Sequence, residues 1–79
     1  MMMQIFIKTI NGKTITFNYN DNPKINEVLE TVEKKIGIPI KYQRLEFMSK
    51  KLDLNKSFND YSICNENTLY QYAKNSNYN

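Results

Sequence analysis

The stretch QIFIKTINGKTITFNY constrains this chain more than any other. Two runs with apolar residues at alternate positions meet at Asn11-Gly12, residue types that tolerate the positive φ of tight hairpin turns. They predict an opening β-hairpin. A period of two places Ile5, Ile7, Ile15, Phe17 and Tyr19 on one face and Gln4, Phe6, Lys8, Thr14 and Thr16 on the other. The first face is the candidate core, and the second is open to water.

After Asp21-Asn22-Pro23 the period changes. In KINEVLETVEKKIG, residues Ile25, Val28, Leu29, Val32 and Ile36 recur at helical spacing, with Glu27 early, Lys34 and Lys35 late, and Gly37 as a stop. This predicts an amphipathic helix of about three turns. Asn22-Pro23 is read as a cap and a preset first helical residue, so the start falls between Pro23 and Ile25. Pro39 then keeps the helix from resuming. The remainder reads as a short strand at QRLEF, a brief one near KKLDL, a loop containing SFNDYSI and a last strand at NTLYQY. The order ββαββ implies an α+β roll, a mixed sheet wrapped across one helix. The expected core is Ile5, Ile7, Ile15, Phe17, Ile25, Val28, Leu29, Val32, Leu45, Leu52, Phe58, Ile63 and Leu69, each on the inward register of its element.

With 79 residues the chain is expected to form one small domain. Its 41% hydrophobic and 24% charged content match a globular protein. A net charge of +3 permits weak attraction to acidic partners, but the 11 basic residues are spread along the chain, so nucleic-acid binding is not expected. Cys64 is the only cysteine, which excludes an intramolecular disulfide and fits a reducing cytosol or nucleus. MMMQIFIKTI is too short and too polar for a signal peptide, and no apolar run approaches the roughly 20 residues that span a bilayer. A chain free of membranes is expected.

Several segments together resemble ubiquitin: MQIFIKTINGKTIT from Met3, GIP at 37–39, QRLEF at 43–47, KKL at 50–52, DYSI at 60–63 and ENTL at 66–69. The likeness runs without a gap from Met3 to about Lys74. It implies the ubiquitin-like β-grasp fold over residues 1–74, followed by a polar tail at 75–79 whose composition reads as disordered. The resemblance also sets Leu29 and Leu54 where the family has a buried lysine and its acidic partner. Replacing both together by apolar side chains is compatible with an intact fold. Gln71 falls inward beside Leu69, where the family is apolar, and must find a hydrogen bond or lie near the sheet's end.

The family's receptor patch maps onto Ile10, Glu46 and Tyr72, with Lys8, Arg44, Lys50, Lys51, Tyr70 and Lys74 around it. Glu46 puts a carboxylate where an apolar side chain packs into receptors, so standard receptors should bind poorly, and in the free protein Arg44, Lys8 or Lys50 is expected to balance that charge. Phe6, with Gln4 and Thr14, matches a second contact patch. By the same resemblance Lys8, Lys13, Lys35 and Lys50 are candidate acceptors for further ubiquitin. Members that modify other proteins end in Gly-Gly, and those positions hold Asn77 and Tyr78, followed by Asn79. This tail is not built for attachment.

Cys64 has no histidine to activate it and no second thiol with which to share a metal. The two glycines, Gly12 and Gly37, serve a turn and a helix end and leave no phosphate-cradling loop. Neither an enzyme nor a cofactor is expected. The expected function is a monomeric, non-conjugatable module that binds proteins non-covalently, ubiquitin-system components among the candidates. The alternatives are a decoy or modulator of the ubiquitin system and a domain excised from a larger fusion protein, with a structural role.

Overall fold

The computed structural model describes residues 2–74. Asn77, Tyr78 and the rest of the 75–79 tail lie outside the described residues. β1 (Met2–Lys8) and β2 (Thr14–Asn20) form the hairpin, α1 (Ile25–Ile36) follows, and β3 (Gln43–Phe47), β4 (Lys50–Lys51) and β5 (Thr68–Ala73) complete the sheet. Short 3₁₀ turns occupy Ile40–Tyr42 and Phe58–Tyr61, the second inside the segment expected to be a loop. Among the described residues the sheet order is β2-β1-β5-β3-β4. β1 runs parallel to β5, whereas β1–β2, β3–β5 and β3–β4 are antiparallel. This is the mixed sheet across a single helix that the residue pattern predicts.

The hairpin turn is closed by Gly12 N–H donating to the Thr9 carbonyl (2.9 Å) and Thr9 N–H donating to the Lys13 carbonyl (2.7 Å). Gly12 alone takes a positive φ, 85°, while Asn11 does not. A left-handed residue after a tight turn is the bulged alternative to a two-residue hairpin loop.

α1 begins at Ile25, at the late limit of the expected range. Its first amides dock on the following loop: Ile25 N–H donates to the Lys56 carbonyl (2.8 Å) and Asn26 N–H to the Leu54 carbonyl (3.1 Å). Glu27 reaches back to accept the Lys24 N–H at 2.9 Å. The Asn22-Pro23 cap is therefore corrected. Asn22 instead accepts the Asn59 N–H (2.7 Å), and the Pro23 carbonyl accepts the Phe58 N–H (3.1 Å), which binds the helix entry to the distant 3₁₀ turn. The helix ends at Gly37, left-handed at φ 87°, whose N–H donates to the Glu33 carbonyl.

One apolar face of α1 (Ile25, Val28, Leu29, Val32) is buried in one cluster with Ile5 and Ile7 of β1, Leu45 of β3 and Leu69 of β5, and Leu52, Phe58, Ile63 and Tyr19 complete it. Two expected core members differ. Ile15 and Phe17 are only half-buried because β2 is the edge strand, although Phe17 still packs on the core and stacks on Tyr19 with 6.2 Å between ring centres. Leu54 is 41% exposed, so Leu29 is not paired with it; the loop serves the helix through the Leu54 carbonyl instead.

Polar groups near the core are partnered. The Thr31 hydroxyl donates to the Val28 carbonyl (2.7 Å), which leaves the Tyr19 phenol to donate to Thr31 Oγ1 (2.7 Å). Tyr19 also meets Phe58 edge to face at 5.6 Å. Burial pushes the Tyr19 phenol from 10.0 up to about 12.

Two outcomes follow from this packing. Leu29→Lys should lower unfolding free energy by about 3 kcal/mol or more, read from denaturant midpoints, because the ammonium would be buried without a partner; an unchanged midpoint would place Leu29 outside the core. Tyr19 favours the neutral phenol in the fold, so its contribution is complete below pH 10.0 and is lost as pH rises towards about 12. Relative to Tyr19→Phe, the natural chain should lose stability across that window. A constant difference would contradict burial of the phenol.

Candidate contact face

The alternation that buries Ile5, Ile7, Leu45 and Leu69 turns their strand neighbours outward. Register then assembles a row across the sheet: Thr14 beside Lys8, Lys8 beside Tyr70, Tyr70 beside Glu46, and Glu46 beside Lys51. One step along, Arg44 stands opposite Tyr72. Arg44 Nε donates to Glu46 Oε2 at 3.0 Å, and its guanidinium lies 5.4 Å from the Tyr72 ring centre. The two side chains are 37% and 21% exposed, so the pair sits at the surface rather than in the core. Of the three cations considered for Glu46, the structure selects Arg44.

Tyr70 and Tyr72, on β5 beside this pair, are about 40% exposed, as is Ile10 at the hairpin turn. A groove of about 400 Å³ lies between that turn and β5, bounded by Ile10, Gln71 and Tyr72. A smaller hollow of about 200 Å³ lies beyond Tyr70, against Glu46 and Met48. The face is thus a tyrosine-walled surface with an ion pair at its centre and lysines at its edges.

The other expected residues fall at different places. Phe6 is half-buried on the same outward side of β1, beside Thr16 and Thr68, so the two expected patches are continuous through Lys8. Lys50 is exposed at the β4 edge but pairs with Phe47, and it is Lys51 that shares the row with Glu46. Lys8, Lys13, Lys35 and Lys50 are all exposed; Lys13 belongs to the hairpin turn and Lys35 to the last turn of α1, away from the row. Cys64 is exposed, with its thiol on the Ser62 carbonyl at 3.3 Å. It borders a separate apolar groove with Met2, Met3 and Ile63.

Residue patterns alone did not single out Met48. It is 77% exposed in the two-residue β3–β4 turn, where Met48 and Ser49 both take positive φ, 51° and 66°. Neither is a residue type that signals such a turn. The spacing of QRLEF and KKL was the available clue. Gln71 is buried, 4% exposed, and its amide is satisfied by Gln43 and by the Ile10 N–H, which accounts for a polar residue at an apolar register. Among the described residues no group of three or more metal-ligating side chains is gathered, and no helix is long and apolar enough to cross a membrane.

The ubiquitin family model matches residues 5–76. The chain is 41% identical over 61 residues to ubiquitin-like protein NEDD8 of Dictyostelium discoideum, spanning 77% of this chain and 79% of the relative. It is 36% identical to ubiquitin-like protein 1 of Schizosaccharomyces pombe, over 77% of this chain and 78% of that protein. Ubiquitin-like protein 4A of Oryctolagus cuniculus is 30% identical, and there the match spans 39% of a longer chain. This protein belongs to the ubiquitin family, and its fold is the ubiquitin-like β-grasp.

Because the Arg44–Glu46 pair is half in water, it should stabilise the fold only weakly. A double-mutant cycle over Arg44→Ala and Glu46→Ala, followed by denaturant unfolding, should return a coupling of about 0.2–1 kcal/mol. A coupling well above that range would mean that the pair is structural rather than a feature of the face.

Proposed function

We propose that this protein is a non-conjugated protein-binding module whose outer sheet face takes an acidic segment of its partner. The observation that carries the reading is the Tyr72–Arg44–Glu46 arrangement at the centre of the face. An apolar receptor surface would have to strip water from a half-exposed ion pair and would gain no matching group in return. An acidic segment meets complementary charge instead, since Lys8 and Lys51 flank Tyr70 and Glu46 in the row and Lys74 lies beyond Tyr72. Lys8 and Lys51 are separated by three strand spacings, about 14 Å, which is about four residues of extended chain. Carboxylates four residues apart could therefore reach both lysines while the intervening side chains lie on Tyr70.

In this reading the protein acts as a monomer in the cytosol or nucleus, and it carries no catalytic step. Asn77 and Tyr78, at the family's Gly-Gly positions, support binding without attachment, because a tyrosine there cannot follow the narrow path that glycines take. The competing reading, a modifier joined to other proteins as some family members are, requires a thioester with an activating enzyme and ATP. No such adduct should form.

Heteronuclear NMR titration tests the binding reading. An extended peptide with Glu at two positions four apart should shift resonances of Lys8, Tyr70, Glu46 and Lys51, whereas an apolar ubiquitin-binding helix should bind at least about tenfold more weakly than it binds ubiquitin. Glu46→Ile should recover part of the helix's affinity while costing the fold no more than about 1 kcal/mol, the weak contribution of the surface pair. Ubiquitin-like affinity of the helix for the natural chain, with no response to the acidic peptide, would refute the proposal.

A further inference from the structure

A buried relay of side-chain amides joins the β1–β2 turn to the sheet. Gln43 and Gln71, 3% and 4% exposed, point inward from β3 and β5. The Ile10 N–H donates to Gln71 Oε1 (3.0 Å), Gln71 Nε2 donates to Gln43 Oε1 (2.6 Å), and Gln43 Nε2 donates to the Ile38 carbonyl (2.8 Å). The direction of the relay is fixed by its ends. A backbone N–H can only donate and a carbonyl can only accept, so flipping either glutamine amide would set donor against donor or acceptor against acceptor. Each buried amide therefore has one workable orientation, and a half-made relay would leave a buried polar atom unpaired.

The hairpin's own bonds do not accomplish what this relay does. The Thr9–Lys13 and Gly12–Thr9 bonds close the turn on itself and fix its shape. They do not fix its distance from β5, and the β1–β5 pairing stops at Lys8 and Tyr70. Ile10 lies beyond that point, 42% exposed, and its amide is tied across to β5 by Gln71. The groove of about 400 Å³ between Ile10 and Tyr72 has this bond across its base. With an apolar side chain at position 71 the turn could swing, and the groove would have no set width.

We propose that Gln71 is a positioning residue for the contact face: acting with Gln43, it holds Ile10 and the β1–β2 turn at a fixed distance from Tyr72 before any partner arrives. A partner then meets an ordered surface and does not have to order the turn on binding. The relay is a property of the free chain, so its test needs no partner, and failure of the acidic-segment reading would leave it untouched.

The test is amide hydrogen exchange with a through-hydrogen-bond coupling measurement. In the natural chain the Ile10 amide should be protected despite its place in a turn, and a scalar coupling should connect Ile10 N to the Gln71 side-chain carbonyl. In Gln43→Met/Gln71→Met, which removes both amides and leaves no orphan between them, Ile10 exchange should rise at least about tenfold. Phe6 and Leu52, whose amides are held by Asn67 and Leu45, serve as references and should keep their rates. An unprotected Ile10 in the natural chain, or no coupling, overturns the proposal. So does a variant in which Ile10, Phe6 and Leu52 all speed up together, because the glutamines would then support the whole fold and not the turn. Should the double variant fail to fold, the coupling in the natural chain still decides.

Discussion

The parallel pairing of β1 with β5 is the constraint on which the rest of the molecule depends. It sets Ile7 beside Leu69 on the inside and Lys8 beside Tyr70 on the outside, so a single register defines both the core and the face. Its bonds extend past the ladder itself: Phe6 N–H donates to Asn67, Glu66 N–H to Gln4, and Gln4 N–H to the Asn65 side chain. Without this pairing the hairpin and the β3–β4–β5 group would be separate sheets, each with an unpaired edge and an uncovered apolar side. A slip by one residue would turn Tyr70 inward and Leu69 to water. The outer face of the sheet is therefore as well determined as the core.

Within that frame the fold handles polar groups in two ways. Leu29, 1% exposed, is an apolar side chain in the helix interior, so no buried charge there needs a partner. Elsewhere, buried polar atoms are kept and paired: Tyr19 through Thr31 to Val28, and Gln71 through Gln43 to Ile38. Among the described residues no buried side-chain nitrogen or oxygen lacks a partner. Charge is confined to the surface, where Asp60 accepts from the Ser57 N–H and hydroxyl, bonds that hold its carboxyl below the ordinary range.

How far the sequence could be read follows from where each signal resides. The hairpin and helix were legible because Gly12 and Gly37 mark left-handed backbone and the apolar spacing changes from two to helical between them. The row of Lys8, Tyr70 and Glu46 could be placed outward for the same reason. Other features depend on contacts between distant segments. The helix start is set by carbonyls of Leu54 and Lys56, so Asn22, a good local cap candidate, is free to hold Asn59. Ile15 alternates like a core residue but lies on the edge strand, whose position only the sheet order reveals. The Met48-Ser49 turn takes positive φ with residues that disfavour it, at a cost of about 1–2 kcal/mol per residue that the flanking pairing of Phe47 with Lys50 must offset. Gln71 could be recognised as out of place, but its explanation required Gln43 and Ile10 to be brought beside it.

The face that emerges keeps the family's scaffold and changes the chemistry at its centre. Arg44 is shared between Glu46 and Tyr72, and in the proposed reading Lys8 and Lys51 meet a partner's charge. Such lysines act through long-range attraction that dissolved ions weaken, whereas burial of apolar surface is not weakened by salt. The most direct test of this account is therefore calorimetric titration of the protein with an acidic extended peptide at 0.1 M and 1 M salt, where the screening length falls from about 10 Å to about 3 Å. The account predicts that affinity drops by about tenfold or more over that range. Affinity that is unchanged or stronger at 1 M salt would contradict it, and would mean that the tyrosines and Ile10 bind as an apolar patch in spite of the charges around them.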